Sequence, residues 1–256
     1  MKKSTSPNTL LAVAAALACC AARADGNTNM PEGSHDISVA VTAVDAPRSE
    51  GGRRREVALL PSFSGRWSNG ISASPGQVTF DVSDDPVFDY GPLLTYGLRP
   101  LRTDDPSDKI RFDIEAGVFA RYMFAYNIHF NTMLTYGGGV DRSGVRLIAN
   151  ASYSMKLGEH AFLVLSPGFE AVNASTMKSS FGITPAQSDS DHLAPYVTHP
   201  GLKNVFFNAA VGRQLSNKWS LAGGANVSTL LGSAAHTPLT QKRTDATIFL
   251  QLGYHY

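Results

Sequence analysis

Residues 245–256, DATIFLQLGYHY, decide the fold. Ile248, Leu250, Leu252, Tyr254 and Tyr256 fall on one face of an extended chain. Thr247, Gln251, Gly253 and His255 fall on the other, with Phe249 the one apolar intruder. A strand buried in a soluble core has no reason to carry its apolar face to the chain terminus. A strand with lipid on one side and a polar lumen on the other has this pattern. The competing explanation is an ordinary amphipathic edge strand.

The same alternation recurs upstream. In residues 112–125, Ile114, Ala116, Val118, Ala120, Tyr122 and Phe124 oppose Asp113, Glu115, Gly117 and Arg121. Residues 88–98, 128–136, 145–157, 204–215 and 219–231 behave alike, and 161–172 continues the series less cleanly. Several of these runs exceed the usual globular strand of about 5–6 residues and match the roughly 9–11 that cross a bilayer at a tilt. Aromatic residues gather near strand ends (Trp67, Tyr96, Tyr122, Tyr136, Trp219, Tyr254, Tyr256), as in the girdles of membrane barrels. Counting back from a periplasmic C-terminus, the links alternate. Those at 237–243, 173–203, 137–144 and 99–111 are long and outside; those at 216–217, 158–159, 125–127 and 83–86 are short and inside. Eight strands follow from this. Residues 57–67 and 71–82, interrupted by Pro61 and Pro75, add two and return the N-terminus to the periplasm. The expectation is an all-β, antiparallel transmembrane barrel of ten strands. Twelve is the alternative, using residues 37–44 and a strand near 177–183.

Composition is compatible with this fold. Mean hydropathy is −0.10 and 43% of residues are hydrophobic, with no apolar run of about 18 residues for a membrane helix. Barrel strands dilute apolar residues with polar ones. The N-terminus reads as a secretory leader over residues 1–24: Lys2 and Lys3, an apolar run over 10–20, and the Ala22-Arg23-Ala24 cleavage site. A lipoprotein signal at Cys19 or Cys20 is the alternative. Both cysteines lie inside the leader, so the mature chain has no disulfide to stabilise it and needs another source of stability. Without Lys2, Lys3 and Arg23, 19 of the 22 basic residues remain against 21 acidic ones, which does not suggest a nucleic-acid partner. Residues 25–56 are expected as a periplasmic tail with a possible first strand and a charged loop, and 57–256 as the barrel. The loop contains Arg53, Arg54 and Arg55, which could meet lipid head groups or simply be solvated.

A second set of residues carries a resemblance. Ser180-Phe181-Gly182-Ile183-Thr184 is followed by Gln187, Ser188, Leu193 and Tyr196. Further on come Lys218-Trp219-Ser220-Leu221 and the run from Leu230 through Gly232, Ala235 and Pro238 to Leu239. Together with Tyr90-Gly91-Pro92 and Glu115-Ala116-Gly117, these residues resemble the MipA/OmpV family of MltA-interacting outer-membrane scaffolding proteins. The chain departs from the family pattern at residues 45–48, at Ser233 and Thr237, and in ending on tyrosine. The resemblance implies an outer-membrane scaffold bridging a lytic transglycosylase and a murein synthase. It singles out Phe181, Gly182, Gln187, Ser188, Tyr196, Gly232, Ala235 and Pro238 as motif-loop residues. The closing strand, with Leu250, Leu252, Tyr254 and Tyr256, resembles the signal read by the barrel-assembly machinery.

No catalytic signature competes: there is no G-x-S-x-G, Walker loop, H-E-x-x-H or dinucleotide fingerprint. His192 and His199 share the long outer loop with Asp189 and Asp191 without metal-ligand spacing, and His236 beside Thr237 is the nearest approach to a rim-located catalytic pair. No catalytic, cofactor or metal site is expected. Inward positions include Asp113, Glu115, Arg121, His129, Arg146, Asn150, Lys156, Asn208 and Gln214, which could line a narrow pore or pair and plug it. The expected function is a non-enzymatic outer-membrane scaffold in contact with lipid, with a narrow solute channel as the alternative.

Overall fold

A computed structural model describes residues 30–100, 110–138, 142–185, 188 and 193–256. The expected leader, Gln187 and the Asp189, Asp191 and His192 group lie outside the described residues.

Lipid offers the backbone no hydrogen bonds, so a sheet can cross a membrane only by closing on itself. Twelve antiparallel strands do so: β1 (His35–Pro47), β2 (Arg55–Trp67), β3 (Ile71–Ser74), β4 (Gln77–Phe80), β5 (Phe88–Pro100), β6 (Ile110–Ala125), β7 (Ile128–Gly138), β8 (Gly144–Lys156), β9 (Ala161–Val172), β10 (Gly201–Gln214), β11 (Trp219–Leu230) and β12 (Thr244–His255). Every strand pairs with its chain neighbours. The seam is closed by β1, where Val41 sits opposite Pro61 of β2 and Leu252 of β12. At the periplasmic end of the seam the Tyr256 N–H donates to the Ile37 carbonyl over 3.0 Å.

The strand count corrects the ten-strand expectation in favour of its alternative, though not by the route foreseen. Residues 35–47 form a full wall strand rather than part of a tail, so the barrel begins well before residue 57. Residues 177–183 supply no strand; most of them lie in helix α1 (Ala174–Phe181). The missing strand comes from residues 71–82, which do not run through Pro75. Pro75-Gly76 has the proline–glycine order of a type II turn, and Gly76 takes φ +85°, so the chain folds back after four residues into the β3–β4 hairpin. The eight strands from β5 to β12 lie where the alternation puts them.

Alternation separates lipid from lumen on each wall strand. On β12, Ile248, Leu250 and Leu252 are exposed outward, while Asp245, Thr247 and Phe249 are buried inward. Tyr254 meets Trp219 and Tyr256 edge-on, with ring centroids 5.0 and 5.1 Å apart, in a periplasmic aromatic cluster. The apolar intruder Phe249 has a purpose. With Val44, Ala46, Ala210 and partly buried Leu60 it forms a small hydrophobic core inside the barrel.

A second core lies at the outer end. Helix α1 is capped by Asn173, whose side-chain oxygen accepts from the Thr176 N–H over 3.0 Å. The short helix α2 (Gly232–His236) lies in the β11–β12 link. Met177 and Phe181 pack with Ala234, Ala235, Val172 and Leu230, so the two long outer links form one cap.

Phe249→Ala should lower the unfolding free energy of the reconstituted barrel by about 3 kcal/mol, because a fully enclosed ring is removed from a packed core. Urea unfolding in vesicles, followed by tryptophan fluorescence, measures the shift. Leu250→Ala, one residue away on the lipid face, should cost clearly less.

Candidate functional site

One irregularity adds a cation to the lumen's cluster of charged residues. The β9–β10 register shifts between Leu202 and Asn204. A bulge of this kind adds one residue to a strand and can turn two consecutive side chains to the same face. Lys203 and Asn204 are both buried inward, at 6% and 7% exposure. They meet Glu170 of β9, whose carboxylate accepts from Lys203 Nζ at 3.0 Å and Asn204 Nδ2 at 2.9 Å. On its other side, Glu170 lies 3.4 Å from Arg146 Nε of β8. Arg146 Nη2 also donates to Glu115 Oε1 of β6 over 3.1 Å, and Glu115 accepts from the Thr135 hydroxyl of β7 over 2.7 Å. Carboxylates and cations thus alternate from β6 to β10 along the inner wall.

The ladder ends on an outer loop. Residues 48–54, between β1 and β2, fold inward rather than standing out in solvent. Glu50 reaches Lys203 Nζ at 2.8 Å, and the Gly51 N–H donates to Asp245 of β12 over 3.0 Å. The Gly51 carbonyl accepts from the N–H groups of Gln241 and Lys242. Gly51 takes φ +72°, and a Cβ there would lie 3.0–3.1 Å from Thr240 and Leu230, so the position suits glycine alone. Beneath the loop lies a cavity of about 190 Å³, lined by the ladder on one wall and by Pro75, Gly76, Gln77 and Thr95 on the other.

The remaining inward polar residues pair locally. Asn208 accepts from the Asn226 amide, Asn150 donates to Ser152, and Ser152 shares a hydrogen bond with Ser166. Arg121 pairs with buried Asp89 at 3.2 Å, nearer the periplasm. Of the inward residues read from sequence, Glu115 and Arg146 belong to the ladder, and Arg121, Asn150 and Asn208 to these local pairs. Gln214 bonds the Ser216 carbonyl at the periplasmic rim, and Lys156 is exposed there. The side chain of Asp113 lies outside the described residues. Glu50, Glu170 and Lys203 were missed: the alternation does not announce a bulge, and Glu50 stands in a loop.

The motif residues are cap builders. Phe181 is buried in the cap core, and the Gly182 N–H closes α1 by donating to the Lys178 carbonyl. Tyr196 pairs with Ile183 through an isolated bridge, and its hydroxyl donates to the Ser233 carbonyl over 3.1 Å. The Ser188 N–H donates to the Thr184 carbonyl. Gly232, at φ +50°, opens α2, Ala235 is buried against α1, and Pro238 is exposed. Thr237 donates its hydroxyl to the Phe181 carbonyl over 2.9 Å, and His236 Nδ1 lies 2.7 Å from the Gly232 carbonyl. Both are engaged with backbone carbonyls rather than with each other as a catalytic pair.

These outer links and the aromatic closing strand carry the sequence features of one family. The model for MltA-interacting protein MipA matches residues 39–256. The chain belongs to that family. Among solved structures, an outer membrane channel from Pseudomonas putida F1 is similar at 12% identity, covering 89% of this chain and 97% of that one, with a TM-score of 0.46. The CymD monoaromatic hydrocarbon channel is similar at 9% identity over 88% of each chain, with a TM-score of 0.44. OmpT, an outer membrane protein of Vibrio cholerae, is similar at 5% identity over 90% and 99%, with a TM-score of 0.42. No curated protein matches the chain. The family and the barrel make this an outer-membrane protein.

Removing one partner from a buried ionic network leaves the others uncompensated. Glu170→Ala should therefore destabilise the barrel by about 3 kcal/mol, and Glu170→Gln by less because hydrogen-bond acceptance survives. The double change Glu170→Leu with Lys203→Met should recover part of the loss. Urea midpoints of wild type and the three variants in vesicles check the order.

Proposed function

We propose that the protein is a non-enzymatic outer-membrane anchor for cell-wall enzymes, bridging a lytic transglycosylase and a murein synthase from the periplasmic side. The observation that carries this reading is the occupied lumen. The loop at 48–54 folds into the outer mouth and is fixed to β10 and β12, above the ionic ladder and the inner core around Phe249. A barrel closed in this way contributes position and surface rather than passage. The family's description as an MltA-interacting protein supports the same role. The surface available to a periplasmic partner consists of the short turns, with Asp84, Asp85, Tyr126 and Glu159 exposed, and the N-terminal tail.

A second reading, a narrow channel for small solutes, is favoured by the cavity of about 190 Å³ within the lumen. The two readings separate in planar bilayers: the anchor gives no discrete conductance steps, and reproducible steps would transfer the assignment to the channel.

Cross-linking in intact envelopes followed by affinity capture tests the anchor directly. Recovery of a lytic transglycosylase or a murein synthase is expected, with at least a several-fold drop when Tyr126→Ala is combined with Asp84→Ala and Asp85→Ala or when the tail before residue 35 is deleted. A folded barrel that brings down neither enzyme ends the proposal.

A further inference from the structure

The wall of the barrel is low at one place. Strands β3 and β4 have four residues each, against 11–16 in the other ten strands. Strand β2 pairs with β3 only at Gly65 and Arg66, and β4 pairs with β5 only at residues 93–95. Beyond the hairpin tip, β2 keeps β1 as its partner and, among the described residues, has no strand paired on its other side. The Ser68 N–H donates to the Ser34 carbonyl, so even-numbered residues of β2 bond to β1 and odd-numbered ones direct their N–H and C=O groups into the gap. These are the backbone groups of Val57, Leu59, Pro61 and Phe63. Proline stands where its missing N–H breaks no ladder bond.

This gap lies toward the outer end of the barrel, level with lipid-facing residues of β1 and β12. The side chains of Val57, Leu59 and Phe63 face outward like the rest of the lipid-facing belt. Val57 and Leu59 are 72% and 71% exposed, with no strand flanking them on that side among the described residues. Unpaired backbone at membrane depth is tolerated where it lines water. The hairpin tip, Pro75-Gly76-Gln77, is also the edge of the lumenal cavity, so the gap and the cavity adjoin. At the outer end of the open edge, immediately before β2, stand Arg53 and Arg54. Both are exposed, and neither has a carboxylate partner among the described residues. Arg55, by contrast, is engaged with Asp45 and the Ala246 carbonyl.

We propose that this notch is a lateral, water-filled port that holds the phosphorylated head group of an outer-leaflet glycolipid. The acyl chains stay in the bilayer beside Val57, Leu59 and Phe63. The phosphate meets Arg53 and Arg54, whose planar guanidinium groups match phosphate oxygens in pairs. The backbone N–H groups of Val57, Leu59 and Phe63, without a strand partner among the described residues, serve the sugar and phosphate oxygens. An acyl chain alone would leave those groups unsatisfied, so the geometry selects a polar head with apolar tails. The glycolipid is chosen over a phospholipid because both arginines stand at the outer end, facing the leaflet where phosphorylated glycolipid is found. The proposal is independent of the periplasmic anchor role.

The test uses the full mature chain in nanodiscs of phosphatidylcholine doped with lipid A, or with phosphatidylglycerol, and native mass spectrometry of the lipids retained. Wild-type protein should keep one lipid A, and R53Q/R54Q should keep it on the order of tenfold less while migrating as a folded, heat-modifiable barrel. Equal retention by the two proteins overturns the port, and phosphatidylglycerol held as well as lipid A overturns the choice of glycolipid. Hydration is read separately with Ser62→Cys, which faces inward on the open edge. Labelling by a membrane-impermeant maleimide is expected, and an unreactive thiol would show that water does not fill the notch.

Discussion

Backbone hydrogen bonding in a solvent that offers none is the constraint on which this structure depends. It requires a seam, and the seam requires that β1 satisfy strands from opposite ends of the chain. Once β1 has one face toward lipid and pairs both β2 and β12, the side of every other residue is set by the pleat. The alternation along the wall is thus a consequence of closure and not an independent property of each strand. The same constraint makes the short β3–β4 hairpin informative: a wall left incomplete must be supplied with polar partners from elsewhere.

Inside the barrel, different physics governs. Twelve strands enclose more space than side chains fill as readily as in an eight-strand barrel, yet fewer than a porin's sixteen or so. The protein occupies that space in three ways. Phe249, Val44 and Ala210 build a patch of apolar packing, the loop at 48–54 enters the mouth, and a bulge at Lys203 brings a cation into line with Glu170 and Arg146. Buried ionic ladders of this type gain little net stability over apolar packing. What they fix is the relative position of β6, β8, β9 and β10 and of the loop that reports to them through Glu50.

Much of this was legible in the sequence, because a period of two is a strong signal when it repeats over strands longer than a soluble sheet needs. The eight strands from Phe88 onward, the alternation of long and short links, and the inward aim of Glu115 and Arg146 all follow from it. Three features were not legible, each for a physical reason. Pro75-Gly76 was read as an interruption when it is a turn, since four-residue strands are too short to show a period. Lys203 looked like the end of a loop because a bulge resets the alternation. Glu50 was invisible because loops carry no periodicity, and only its neighbour Gly51, whose φ is positive, marks the inward fold. Phe249 stood out in the sequence as the residue that broke the pattern, and it does so because it is core.

The hydrogen bond between Gly51 and Asp245 joins residues 194 positions apart in the chain. Closing a loop of that length costs chain entropy that the contact has to offset. Without β12 in place, the loop at 48–54 lacks its hydrogen bond to Asp245. Plugging of the outer mouth is therefore a property of the closed barrel rather than of any part of the wall. The strand that holds the loop at 48–54 is the same one that the seam joins to β1, so a chain whose seam has not met also lacks this anchor for its loop.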